Sequence, residues 1–133
     1  MAGRPTTDAP SLAGRYILVV DDDPAVRVAM RTLLHELGAR VELADGFRQA
    51  LQLARRERPD ILLADYRLRG AETGLDLVRT LRAQHPDLRA VLISGDTAPE
   101  RLPEARDAGI PLLYKPVSLA ALCEAISRPY LPG

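Results

Sequence analysis

One cysteine, one lysine, no excess charge of either sign and no long apolar run set the first limits on this chain of 133 residues. A single thiol, Cys123, excludes an internal disulfide and a cysteine-based zinc site and fits a reducing compartment. It reads as a buried helix residue. With 18 basic residues against 18 acidic ones, the chain lacks the electrostatic footprint of a nucleic-acid or membrane-surface binder, and its partners are expected to be proteins or small molecules. No stretch approaches the roughly 18 apolar residues of a membrane span. The opening "MAGRPTTDAPSLAGR" has no apolar core of a signal peptide, so a soluble, cytoplasmic chain is expected. Residues 1–14, rich in Pro, Gly, Ala and Thr without periodicity, read as a linker, and 15–133 as one folded unit.

What is there alternates. "YILVV" (16–20) is a continuous apolar run rich in β-branched residues, as expected of a strand covered on both faces. "PAVRVAMRTLLHELG" (24–38) then places Val26, Met30, Leu33, Leu34 and Leu37 at helical spacing, with Pro24 in the first turn and Gly38 as the stop. The pattern recurs as strand 40–44 and helix 46–57, strand 60–64 and helix 74–84, strand 89–94 and a helix within 98–108, and strand 111–114 with a helix from 118 to about 127. Pro103 falls where a fourth helix starting near Pro99 needs a backbone N–H, so that helix is expected to start late or kink. Five βα units in one small domain imply an α/β fold, a doubly wound parallel sheet with helices on both faces. Ligands of such folds sit beyond the C-terminal strand ends.

Those ends are polar in an apolar frame. Asp21, Asp22 and Asp23 follow the first strand, Asp65 the third, Ser94, Gly95 and Asp96 the fourth, Lys115 and Pro116 the fifth. Singly, each has an ordinary reading as a helix cap or turn residue. Together, Asp21, Asp22 and Asp65 repel one another unless a cation intervenes, and an all-oxygen set suits Mg2+. His35, within the first helix, and His85, in a loop, read as exposed polar residues and not as ligands. A phosphoryl group would account for the rest: Asp65 as the carboxylate acceptor, Lys115 and the cation on two oxygens, Ser94 and the Gly95 amide on the others. Lys115 is the only lysine among the 18 basic residues, and a compact ammonium differs from arginine's broad fork where one oxygen must be reached.

The ordered set "VVDDD", "LLADYRLRGAETG", "LISGD" and "LYKPV" resembles the receiver domains of two-component response regulators over about residues 15–128. The resemblance implies a flavodoxin-like sheet of order 2-1-3-4-5, and phosphorylation of Asp65 by a histidine kinase or a histidine phosphotransfer domain. It further implies Mg2+ held by Asp21, Asp22, Asp65 and the backbone carbonyl of Arg67, with Ser94 as the switch residue and a cis peptide before Pro116. Arg67 and Asp96 fall at the positions that flank the phosphate in this family and tune its lifetime; an Arg67–Asp96 pair across the mouth would slow hydrolysis. The family's usual aromatic three residues before the lysine is replaced by Leu112, with Tyr114 displaced along the strand and read as packing under the last helix. The fourth helix, fifth strand and fifth helix are the family's output face and a possible homodimer surface.

Phrases such as "DYRLRGAETGLDLVRTLR" and "AGIPLLYKPV" look most like receivers at the C-terminus of hybrid sensor histidine kinases, with a stand-alone regulator as the alternative. The 133 residues are filled by this one unit, so the chain is expected to be a module without an output domain of its own. Two other classes remain open: an aspartyl-nucleophile phosphohydrolase, for which the length leaves no substrate cap, and an interaction module that is never phosphorylated.

Overall fold

The structure, a computed structural model, describes residues 12–68, 70–95 and 102–127. Ten elements alternate: β1 (Tyr16–Val20), α1 (Pro24–Glu36), β2 (Arg40–Ala44), α2 (Phe47–Arg56), β3 (Ile61–Asp65), α3 (Gly74–Arg82), β4 (Arg89–Ser94), α4 (Leu102–Asp107), β5 (Leu112–Tyr114) and α5 (Leu119–Ser127). All strand pairs are parallel and the order is β2-β1-β3-β4-β5, the doubly wound, flavodoxin-like arrangement with five helices.

Burial follows strand position. Every residue of β1 and β3 is buried, because both strands are flanked by neighbours and covered on both faces. Edge strand β2 instead alternates exposed and half-buried residues before ending on the buried Ala44. Odd and even residues feed two cores. Leu18, Val20, Leu62, Ala64 and Leu92 face α2, α3 and α4, while Ile17, Val19, Ile61, Leu63 and Ile93 face α1 and α5.

Local chemistry fixes the boundaries. Asp23 caps α1 by accepting from the Ala25 amide at 2.9 Å, Pro24 occupies the first turn, and Gly38 at φ 91° takes the left-handed turn after the helix. Strand β3 runs one residue later than the apolar run suggests. The Asp60 side chain accepts from the Tyr16 amide at 2.8 Å and so sits outside the strand, leaving Asp65 as its last residue, opposite Ile93. Arg82 ties three segments at the far end of the sheet: Nε and Nη2 donate to the Leu88 carbonyl and Nη1 to that of Ala108.

Several side chains depart from the sequence reading. Leu12, inside the expected linker, is buried, and its amide donates to the Leu37 carbonyl at 3.1 Å, so the folded part reaches back at least to Leu12. Among the described residues α4 has six residues, with Pro103 in its first turn, where no N–H is required; Pro99 lies outside the described residues. Tyr114 does not pack under α5: it is 41% exposed, and the period-2 alternation gives the α5 side to Leu113 and the opposite side to Leu112. Cys123 is half-buried rather than buried, and burial pushes its thiol pKa up, keeping it protonated and unreactive. His35 is exposed, but His85 is half-buried, with Nδ1 shielded and lacking a hydrogen-bond partner among the described residues. The His85 ring borders a cavity of about 30 Å³ between α2 and α3, room for a single water.

Candidate functional site

The C-terminal ends of β1, β3 and β5 bring Asp21, Asp65 and Lys115 together. Asp21 is 3% exposed and Asp65 8%, buried because the strands that carry them are central. The Lys115 ammonium lies 3.2 Å from Asp65 Oδ2 and 3.2 Å from Asp21 Oδ2, bridging the two carboxylates. Its backbone is equally committed: the Lys115 amide donates to the Ser94 carbonyl at 2.8 Å, extending the β4–β5 ladder, and the Lys115–Pro116 peptide is cis.

Asp22 completes the cluster. One carboxylate oxygen from each of Asp21, Asp22 and Asp65 lies within 4.8 Å of the others. Asp22 is half-buried and makes no hydrogen bond or ion pair among the described residues, which leaves its oxygens uncommitted. Three hard oxygens, converging without nitrogen or sulfur donors, suit a cation such as Mg2+ that is held by a few carboxylates and keeps several waters.

The electrostatics agree with that reading. Burial, then the charge of Asp21, pushes the Asp65 carboxyl above its ordinary pKa; the Lys115 hydrogen bond and charge and the Arg67 amide pull it partly back. The ionised form of Asp65 therefore works against folding at neutral pH, and that cost is relieved as the pH falls through its raised value. Burial works against the Lys115 ammonium, yet its contacts with Asp65 and Asp21 outweigh this and hold its pKa above the ordinary lysine value. Protons and cations compete for the same oxygens, so cation binding weakens on acidification.

The loop from β3 to α3 closes around the Asp65 backbone. Arg67 pairs with Thr73, the Gly74 amide donates to the Tyr66 carbonyl at 2.8 Å, and the Arg67 amide approaches Asp65 Oδ1 at 3.4 Å. Thr73 and Asp76 then start α3 with a reciprocal capping box. The Arg67 side chain is exposed. Asp96, its expected partner, lies outside the described residues. Ser94 is buried at the end of β4, opposite Tyr114, and Gly95 follows it, exposed, with open space where a Cβ would stand. Leu112 is half-buried against the core on the α4 side. Pro116 is exposed at the rim.

Two contributors escape the sequence reading. Gly74 reads as the start of a helix, yet a Cβ there would stand 2.3 Å from the Asp65 carbonyl oxygen. Arg27 reads as one of the two arginines of α1; its Nη1 donates to the Asp21 carbonyl at 2.6 Å. Neither contact has a spacing rule, because both cross from a helix to a strand end.

Comparison with known proteins agrees with this geometry. The family model for the response regulator receiver domain matches residues 17–127. The chain is 32% identical over 121 residues to the C4-dicarboxylate transport transcriptional regulatory protein DctD of Pseudomonas aeruginosa, covering 90% of this chain and 26% of that protein. It is 42% identical over 108 residues to the response regulator MprA of Mycolicibacterium vanbaalenii, covering 80% of this chain and 46% of that one. It thus spans about half or less of the length of these curated relatives. Among solved structures, the chemotaxis protein CheY4 of Vibrio cholerae superposes with a TM-score of 0.78 at 28% identity, covering 90% of this chain and 100% of that one. A response regulator receiver protein of Pseudomonas putida gives 0.74 at 34% identity, covering 86% and 96%.

Proposed function

The chain belongs to the response regulator receiver domain family, and from that premise we propose that Asp65 accepts a phosphoryl group from the phosphohistidine of a histidine kinase or a histidine phosphotransfer domain. The observation that carries the proposal is the convergence of Lys115 on Asp65 and Asp21 beside the uncommitted Asp22 carboxylate. An Asp65 carboxylate oxygen attacks phosphorus, the phosphorus–nitrogen bond breaks, and its electron pair stays on the departing imidazole. An aspartyl phosphate results. Asp21, Asp22, Asp65 and the Arg67 carbonyl would hold Mg2+, which when bound neutralises charge on the phosphoryl oxygens. Lys115 stabilises a second oxygen, and the Ser94 hydroxyl and Gly95 amide take what remains. The domain is a phosphoacceptor and not a classical enzyme.

Incubation with Mg2+ and a small acyl phosphate tests this reading. The parent is expected to take up one acid-labile phosphate, and Asp65→Asn none, as read by intact mass. Sustained turnover of phosphate monoesters would support a phosphohydrolase instead, and absence of labelling in the parent would support a passive interaction module.

The parent polypeptide is assigned to the hybrid sensor histidine kinases on the strength of the "DYRLRGAETG" and "AGIPLLYKPV" phrases. A transcriptional regulator is the second reading, favoured by the name of DctD. The full open reading frame separates them, since only the first carries a kinase core. Among the described residues no helix is long and apolar enough to cross a membrane, which supports the cytoplasmic assignment. Dimerisation through the α4, β5 and α5 face would use Tyr114 and Leu119, exposed by 41% and 40%. Sedimentation before and after phosphorylation is expected to show a concentration-dependent dimer, and a monomer throughout would end that proposal.

A further inference from the structure

We propose that Arg27 is a positioning residue of the acidic pocket: its guanidinium fixes the Asp21–Asp22 peptide so that two neighbouring carboxylates are presented together to a divalent cation. The inference deepens the cation-site reading above and rests on it.

The β1 ladder ends here. The Asp21 amide still pairs with the Ala44 carbonyl at 3.1 Å, but the register with β3 stops at Val20 and Ala64. The Asp21 carbonyl therefore leaves the sheet on a buried residue and needs a donor from elsewhere. Helical side chains lean toward the N-terminus of their helix, so Arg27, well inside the first two turns of α1, reaches back to that carbonyl. The bond is short, 2.6 Å, and charge-assisted.

Asp21 is thereby held at every polar atom. Its amide bonds to Ala44, its Oδ1 accepts from the Asp23 amide at 2.9 Å, its Oδ2 faces Lys115 and its carbonyl faces Arg27. Asp23 is held in turn, since its Oδ1 caps the Ala25 amide. Asp22 lies between the two, and its own side chain makes no hydrogen bond or ion pair among the described residues. Only the backbone places that carboxylate. The peptide that orients it begins at the carbonyl that Arg27 grips. The other guanidinium nitrogens make no hydrogen bond among the described residues, so this single contact defines what Arg27 does.

Charge and position predict opposite signs. A cation beside three carboxylates repels a divalent ion, so if Arg27 acted by charge alone its removal would tighten binding. If it acts by position, removal loosens binding, as loss of groups supporting metal ligands usually does, by about 10-fold or more. Calorimetric titration of the 133-residue chain with MgCl2 reads the sign directly. Arg27→Gln and Arg27→Lys are each expected to bind Mg2+ about tenfold more weakly than the parent, with unchanged far-ultraviolet circular dichroism; the lysine keeps the charge, but its Nζ sits one bond nearer the backbone than Nη1 and falls short of the Asp21 carbonyl. Mg2+ bound by Arg27→Gln as tightly as by the parent, or more tightly, overturns the proposal. Asp22→Asn separates the two levels. If it abolishes binding while Arg27→Gln does not weaken it, the cation site stands and the positioning role fails. A parent chain that binds no Mg2+ removes the cation site and the positioning role together.

Discussion

Lys115→Arg is expected to leave the fold in place and to slow phosphorylation of Asp65 by an acyl phosphate on the order of a hundredfold, the usual scale for loss of one charge-stabilising donor. Lys115 Nζ stands 3.2 Å from an oxygen of each of two buried carboxylates, a position fit for a compact point charge. A guanidinium is planar and wider, and on a backbone locked to Ser94 it must carry its charge farther out. Total charge is conserved, so stability changes little. What is lost is the ammonium's reach to one oxygen of the phosphoryl group. Amide chemical-shift changes at Ser94, Gly95 and β5 on phosphorylation give a second readout: present in the parent, absent in the variant. A variant that labels and shifts like its parent would show that the only lysine of this chain has no special role.

The second large effect concerns stability. Gly74→Ala would place a Cβ 2.3 Å from the Asp65 carbonyl oxygen, 3.1 Å from its carbonyl carbon and 2.9 Å from Leu92 Cδ2. Leucine can rotate away, but the carbonyl belongs to the last residue of a central strand and cannot. Relief requires α3 to retreat from β3, opening the core around Leu75 and Leu92. The expected cost is about 3 kcal/mol, the upper end of overpacking, and a fall in melting temperature on the order of 10 °C. Gly95→Ala meets open space and is expected to melt with the parent. Thermal unfolding of the two variants side by side makes the comparison, and equal melting temperatures would show that α3 yields at no cost. Since the carbonyl that a Cβ would meet is that of Asp65, the α3 glycine also lets the helix close on the strand end that carries the proposed acceptor.

Most of the architecture was legible because burial and period coincide. The apolar runs of β1 and β3 read as doubly covered strands, and the ten elements emerged in order. The one-residue shift of β3 was hidden because Asp60 borders the apolar run and looks like part of it until its side chain is seen accepting from Tyr16. Tyr114 was misplaced for a different reason. Alternation puts it on Leu112's side, away from α5, and as the last residue of a three-residue edge strand it stands exposed at the strand end. In the pocket, the acidic and basic members were visible as polar residues at the ends of apolar runs. Arg27 and Gly74 were not, since their roles depend on a 2.6 Å hydrogen bond to the Asp21 carbonyl and on how closely α3 passes the Asp65 carbonyl, which no local pattern in the chain announces.

The bridge made by Lys115 also sets an order of assembly during synthesis. It joins residues 94 apart to Asp21 and 50 apart to Asp65, so it closes only when the fifth strand has left the ribosome. Until then Asp21 and Asp65 have no ammonium to bridge them, and non-local contacts of this kind form late. A nascent chain stalled before β5 therefore carries Asp65, the proposed acceptor, without the ammonium that bridges it to Asp21. On the proposed chemistry, the position of this one lysine late in the sequence disfavours phosphoryl transfer to an unfinished chain.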